Sequence, residues 1–396
     1  MQMKFKFFLA VLFAAIFSQQ PMQAQGNVEC ASEITGGDCV NTVFTAIPFL
    51  RINPDTRTGS MGDVGLAISP DAGALYHNAS KLAFINKKGG VGITYTPWLR
   101  KIVPDMFIGY LNGYYKIDDL SALGGSLRYF NMGNIQFTDA SGNETGQSNP
   151  NEFAFDVAYA RKLSDKIGLG LTMKYVNSNL AKGQVVEQTT IGAAQAVAAD
   201  ISGYYNTDIA VKSFNSNLGI GFALSNIGNK VSYIQNDTTV VKDFLPINLG
   251  IGAAYDFKFD DYNSLMFAVD VNKLMVPTPV DTDENGNNIP DHRDAPLLTG
   301  MFSSFGDAPG GFNEEMRELM ISLGLEYWYN DLFAFRAGYF HEHATKGNRK
   351  YLTMGFGIKY NVFGLNFSYL VPVNGVANHP LENTLRFTLL FDFEND

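Results

Sequence analysis

The chain has 396 residues, 46% apolar and only 17% charged, with 29 basic against 39 acidic side chains and a formal net charge of −10. No run of 18 or more apolar residues occurs, which excludes transmembrane helices and leaves any crossing of a bilayer to strands. The acidic balance and the lack of basic clusters exclude nucleic acid as a partner.

Lys4 and Lys6 precede the apolar run from Phe7 to Phe17, and a polar stretch then ends at Met22-Gln23-Ala24. That order reads as a secretory signal peptide over residues 1–24, although Met22 is bulkier than the small residue usual at such a boundary. Cys30 and Cys39 are the only cysteines. In an exported chain they meet an oxidising compartment, which predicts a disulfide between them. A lipid anchor on Cys30 is disfavoured, since Asn27-Val28-Glu29 lacks the small and apolar residues that lipidation needs. Residues 25–88 show no strand alternation and are expected to form a periplasmic amino-terminal segment and plug, occupying the lumen or capping the periplasmic mouth, ahead of a barrel over residues 89–396.

Alternating stretches follow at 90–97, 105–116, 121–131, 152–163, 166–178, 206–214, 217–227, 246–257, 263–273, 319–329, 332–340, 350–361, 363–371 and 383–393. In the last, Leu385, Phe387, Leu389, Phe391 and Phe393 share one face, while Arg386, Thr388, Leu390 and Asp392 share the other. Period two gives each strand one apolar and one mostly polar face. A soluble sandwich would show the same alternation. The gaps decide between them. Every second gap is tight, at 117–120, 164–165, 215–216, 258–262, 330–331 and 362, whereas those at 132–151, 179–205, 228–245, 274–318 and 372–382 are long. A sandwich has no reason to gather its long loops at one end, but an outer-membrane barrel has short periplasmic turns and long outer loops. The expected fold is therefore all-β: a transmembrane outer-membrane barrel of fourteen antiparallel strands. The even count places both chain ends on the periplasmic side. The alanine-rich stretch 192–199 reads as a short helix within an outer loop.

Arg57 to Ala67, followed by Asp71 to Ser80, resembles the amino-terminal hatch of the FadL-like barrels, whose best-known members carry long-chain fatty acids. In that family a segment rich in small residues leads to an Asn-Pro-Ala triplet. Here Asn78-Ala79-Ser80 stands in its place without the proline. With the cysteine-bearing amino terminus, the strand Gly219 to Gly228 and the end segment Ala337 to Phe393, the whole mature chain resembles more closely the PorV family of the type IX secretion system. The resemblance implies an outer-membrane, non-enzymatic component that binds secreted substrates by their carboxy-terminal signal domains at the translocon barrel and passes them to surface attachment proteins. The partners it implies are these proteins and outer-membrane lipid. Loops 179–205 and 274–318 are the expected binding surfaces. The rival is a FadL-like channel for hydrophobic small molecules, which wants an apolar pocket between hatch and wall.

One polar cluster stands out. Asp281, Asp283 and Asn285 followed by Gly286, with Asp291 and Asp294 beyond, place oxygen ligands as a calcium loop does. His292 stands where an EF-hand would put its bidentate glutamate, so a structural calcium loop and a solvated acidic loop both stay open. No cofactor is required. His341-Glu342-His343 reads as a polar loop start, and the paired carboxylates Asp118-Asp119 and Asp260-Asp261 fall in turns that offer no cleft for acid–base chemistry.

Overall fold

The computed structural model describes residues 40–100, 103–138, 144–181, 185–186, 189–211, 214–234, 241–373 and 379–393. The expected signal peptide and the pair Cys30 and Cys39 lie outside the described residues. Fourteen strands close into one antiparallel barrel. They are β1 Gly89–Pro97, β2 Phe107–Lys116, β3 Ser121–Asn131, β4 Asn151–Lys162, β5 Ile167–Asn179, β6 Ala194–Val211 and β7 Phe214–Gly228. The second half holds β8 Asn248–Lys258, β9 Asn263–Leu274, β10 Met320–Tyr329, β11 Phe333–His341, β12 Lys350–Tyr360, β13 Phe363–Pro372 and β14 Thr384–Phe393. Each strand pairs with its neighbour in sequence, and β1 closes the ring on β14 from Gly89 opposite Phe393 to Tyr95 opposite Phe387. Closure removes the edges that an open sheet would expose.

Exposure alternates as the sequence predicts, with the apolar row outside. On β5, Leu171 and Met173 are 51% and 53% exposed, while Thr172 and Lys174 between them are 2% and 6% exposed. In a membrane the outward row meets lipid. The links at 117–120, 163–166, 259–262, 330–332 and 361–362 are tight. Asn330 and Asp331 both sit at left-handed φ, 54° and 51°, as the two central residues of a primed hairpin turn must. A belt of outward aromatics rings this end of the wall, including Tyr115, Tyr262, Tyr329, Tyr360, Phe363 and Phe393, as expected at a membrane–water interface. The other end carries the long loops. The largest, between β9 and β10, holds three short helices, Asp291–Asp294, Leu297–Ser303 and Phe312–Arg317.

The expected helix at 192–199 is a strand instead. Residues from Ala194 onward belong to β6 and pair with β5, Ala194 opposite Ser178 and Ala198 opposite Lys174. Alanine favours helix intrinsically, but here Ala194, Ala196 and Ala198 are buried every second residue against Ile47, Phe49 and Leu50 of the amino-terminal segment. Small side chains let that segment approach the wall, and tertiary packing overrides propensity. The loop expected there shrinks accordingly to 180–193. The expected tight turn at Asn215-Ser216 also lies within a strand, since these residues pair with Ala210 and Ile209.

Residues 40–88 fill the lumen. They include two short helices, Thr56–Gly59 and Ala74–His77, flanked by 3-10 turns at Pro48–Arg51 and Ala79–Phe84. Met61, Val64 and Ala67 pack on Ala254, Met266 and Ala268. Leu75, Leu82 and Ala83 pack on Ala122, Ala158 and Ala160. At Gly338 the approach is closest: a Cβ there would lie 2.0 Å from the Met61 carbonyl carbon. The segment begins among the long loops, where the Asn41 N–H donates to the Thr345 carbonyl and that of Ala46 to Phe244. It ends at the tight-turn end, where it runs into β1. Asn41 and Phe393 therefore lie at opposite mouths.

Candidate functional site

A wall with a polar inner face brings charges into the lumen, and each needs a partner. Midway down, Glu326 on β10 accepts from Arg57 of the lumenal segment at 2.6 and 2.9 Å and from Arg336 on β11 at 2.6 Å. Arg57 also reaches Asp71 at 2.9 Å. Asp270 on β9 accepts the backbone N–H groups of Gly65 and Leu66 at 2.6 and 2.9 Å, and Thr353 on β12 accepts that of Gly62 at 2.8 Å. Residues of the segment that lack local secondary structure thus find their hydrogen bonds on the wall.

Asn78, in the expected hatch triplet, is buried and satisfied. Its amide donates to the Leu66 carbonyl at 2.9 Å and to that of Gly203 on β6 at 3.0 Å, and its side-chain oxygen accepts from the Ser80 N–H at 3.1 Å. Ala79 and Ser80 follow in the 3-10 turn that this contact caps, and both are buried. The triplet pins the segment to the wall, and an alanine serves there where the FadL-like barrels are expected to have proline.

At the long-loop end a second set of charges ties the loops to each other and to the segment. Glu342 accepts from Arg51 at 3.2 Å and from Arg349 at 2.8 Å. Burial pushes its carboxyl up, but Arg349 and then Arg51 outweigh this and hold it below the ordinary carboxylate range. Lys346 bridges Glu314 and Glu318 at 2.6 and 2.9 Å, while Lys273 reaches Glu315 at 3.0 Å and also pairs with Glu318. Arg293 forks onto Asp243 of the neighbouring loop at 2.7 and 2.9 Å. Asp307 accepts from Thr278, and burial raises its carboxyl to about 7 against that hydrogen bond, with Glu315 adding to the rise. The loop so fastened exposes Leu298, Phe302, Phe305, Phe312 and Met316.

The expected calcium-loop residues lie on this same loop and turn toward its own backbone and amides. Asp283 accepts the N–H groups of Asn287 and Asn288, Asp291 accepts that of Glu284, and Asp294 accepts from the Asn285 and Asn287 amides. Asp281 is exposed. Among the described residues no three acidic, imidazole or thiol groups gather as a metal site would require. His341 ends β11 and His343 lies beyond it, bonded to the Thr345 hydroxyl at 2.9 Å. Asp118 and Asp260 accept backbone N–H groups of their own turns. Glu326 and Arg336, which hold Arg57 in the lumen, were not singled out in the sequence, and their one signal is a charge on the inward row of a strand.

A cavity of about 120 Å³ remains between segment and wall, lined by Arg51, Asp63, Lys174, Asn226, Arg349 and Tyr351 among others.

The toluene transporter TbuX of Ralstonia pickettii superposes with a TM-score of 0.50 at 11% identity, covering 87% of this chain and 98% of that one, which speaks for the fold alone. The toluene transporter TodX of Pseudomonas putida gives 0.48 at 9% identity, over 86% and 98% of the two chains. A Pseudomonas aeruginosa FadL homologue gives 0.43 at 11%, over 90% and 100%. No curated protein sequence matches. The family model described as the type IX secretion system protein PorV matches residues 37–281, well over half of the chain. This outer-membrane barrel therefore belongs to the PorV family of type IX secretion proteins and is a non-enzymatic secretion component.

Proposed function

We propose that the protein receives secreted substrates by their carboxy-terminal signal domains at the translocon barrel and hands them to surface attachment proteins. The long loops face the outside in this reading and form the docking rim. The observation that carries it is the loop between β9 and β10, which is anchored by Lys273, Lys346 and Arg293 yet leaves Leu298, Phe302, Phe305, Phe312 and Met316 exposed. Exposed apolar clusters with a polar rim are where proteins meet partners. The residues 180–193 are the lesser candidate, since much of the loop first expected there is wall. Phe393 then sits at the periplasmic mouth and Asn41 at the outer one. An even strand count expects both chain ends on the periplasmic side; it counts wall crossings and leaves out residues 40–88, and the residues before 40 lie outside the described ones.

The rival reading, passage of hydrophobic molecules between lumenal segment and wall, wants an apolar pocket there, and the cavity mixes Leu50, Leu66, Met320 and Phe340 with Arg51, Lys174, Asp63 and Asn226. Retention of a purified signal domain by the detergent-solubilised protein tests the proposal. The double variant Phe302→Ser, Phe312→Ser should retain at least tenfold less while running as a folded, heat-modifiable barrel. Undiminished retention would sink it.

A further inference from the structure

The outer face of the wall is not uniformly filled. Two rungs of outward side chains cross β7 to β12. One runs Ala253, Val269, Leu323, Tyr339, Leu352, and the rung nearer the tight turns runs Leu218, Tyr255, Phe267, Leu325, Ala337. Ala253 and Ala337 are too small to fill their places among these large neighbours, and a groove of about 630 Å³ opens there, lined by apolar side chains almost throughout. Its volume is that of an ordinary small-ligand site. Behind it the inward residues Ala254, Ala268, Gly324 and Gly338 are equally small, so the wall is thin where Met61 and Val64 press on it from within.

The groove opens onto the lipid-facing surface, where nothing but hydrocarbon or another apolar wall can fill it. What lies above it separates these two occupants. The next rung toward the long loops is Ile321, His341 and Lys350, about 7 Å from Leu323, Tyr339 and Leu352 by strand rise. Lys350 is close enough to the His341 ring to act on it electrostatically, and the Tyr339 hydroxyl lies 3.3 Å from His341 Nδ1. The nearest acid, Glu342, is buried and neutralised by Arg51 and Arg349. An apolar trough thus ends at a lysine, an imidazole and a phenol near the long-loop ends of β11 and β12. Amphipathic order of this kind matches an acyl chain below an anionic head group.

We propose that this groove binds one acyl chain of a membrane lipid whose phosphate is held by Lys350 with His341 and the Tyr339 hydroxyl. The site lies outside the lumen and is independent of the substrate-docking reading, which survives or fails without it. The test is native mass spectrometry of the full protein released from nanodiscs of phosphatidylcholine containing a tenth phosphatidylglycerol. The wild-type barrel should retain one phosphatidylglycerol in preference to phosphatidylcholine. Ala337→Trp, or Ala253→Phe from the other side, should abolish retention of either lipid, and Lys350→Glu should cut the head-group preference about tenfold, the worth of one charge-assisted contact. Each variant is first checked for the gel shift of a folded barrel. Equal retention by wild type and variants, no head-group preference in the wild type, or a second copy of the chain retained in place of lipid would each overturn the proposal.

Discussion

The wall and the lumenal segment are held by different forces. The wall is a ring of backbone hydrogen bonds between neighbouring strands, and its side chains need only present apolar atoms outward and small or polar ones inward. The segment over residues 40–88 has few hydrogen bonds of its own regular structure and is fixed by side chains of the wall: Glu326 on Arg57, Asp270 on Gly65 and Leu66, Thr353 on Gly62. A wall residue is thus exchangeable within its class, whereas a lumenal anchor is not.

The sharpest test is Glu326→Ala. It leaves Arg57 and Arg336 buried without their shared carboxylate, which costs about 3–5 kcal/mol. Proteolysis of the lumenal segment should become faster while the heat-modified gel shift of the wall stays. Loss of the wall at the same denaturant concentration would show that the two regions are one cooperative unit.

Met173→Arg makes the converse change, a charge on the lipid face with no lumenal contact. It should cost about 2–4 kcal/mol if the residue lies near the bilayer midplane, read as a shift in the equilibrium of folding into vesicles. The segment, once folded, should be as protected as in the wild type. Asn78→Ala should cost less, about 1–3 kcal/mol, by orphaning the carbonyls of Leu66 and Gly203. Its effect should fall on the segment, measured as faster amide exchange around Leu66 and Ser80.

The smallest expected effect is confined to the loop between β9 and β10. Asp307 has its carboxyl raised from 3.8 to about 7 in the folded loop by burial. The folded loop therefore binds more protons than the unfolded one between these values, and its stability falls as pH rises through that window. Cleavage of the loop by a broad protease should be slower at pH 5 than at pH 8, and Asp307→Asn should flatten the difference.

The wall was legible in the sequence because its rule is local. Ile167 to Tyr175 and Leu385 to Phe393 alternate with period two whatever they pair with, and tight or long gaps follow from turn chemistry. Where that rule was ambiguous it misled: alanines at 194, 196 and 198 carry helix propensity, and only the contact with Ile47, Phe49 and Leu50 makes them strand.

Period-two alternation and gap lengths were enough for a closed strand-built membrane wall, its lipid face and its two unlike ends, and family resemblance added its secretion class. Tertiary structure alone decided which charges meet. Arg57 and Glu326 stand 269 positions apart, and no spacing rule links them. They come together because barrel closure carries β10 past the lumenal segment, and a buried charge is tolerable only where the fold delivers its counter-charge.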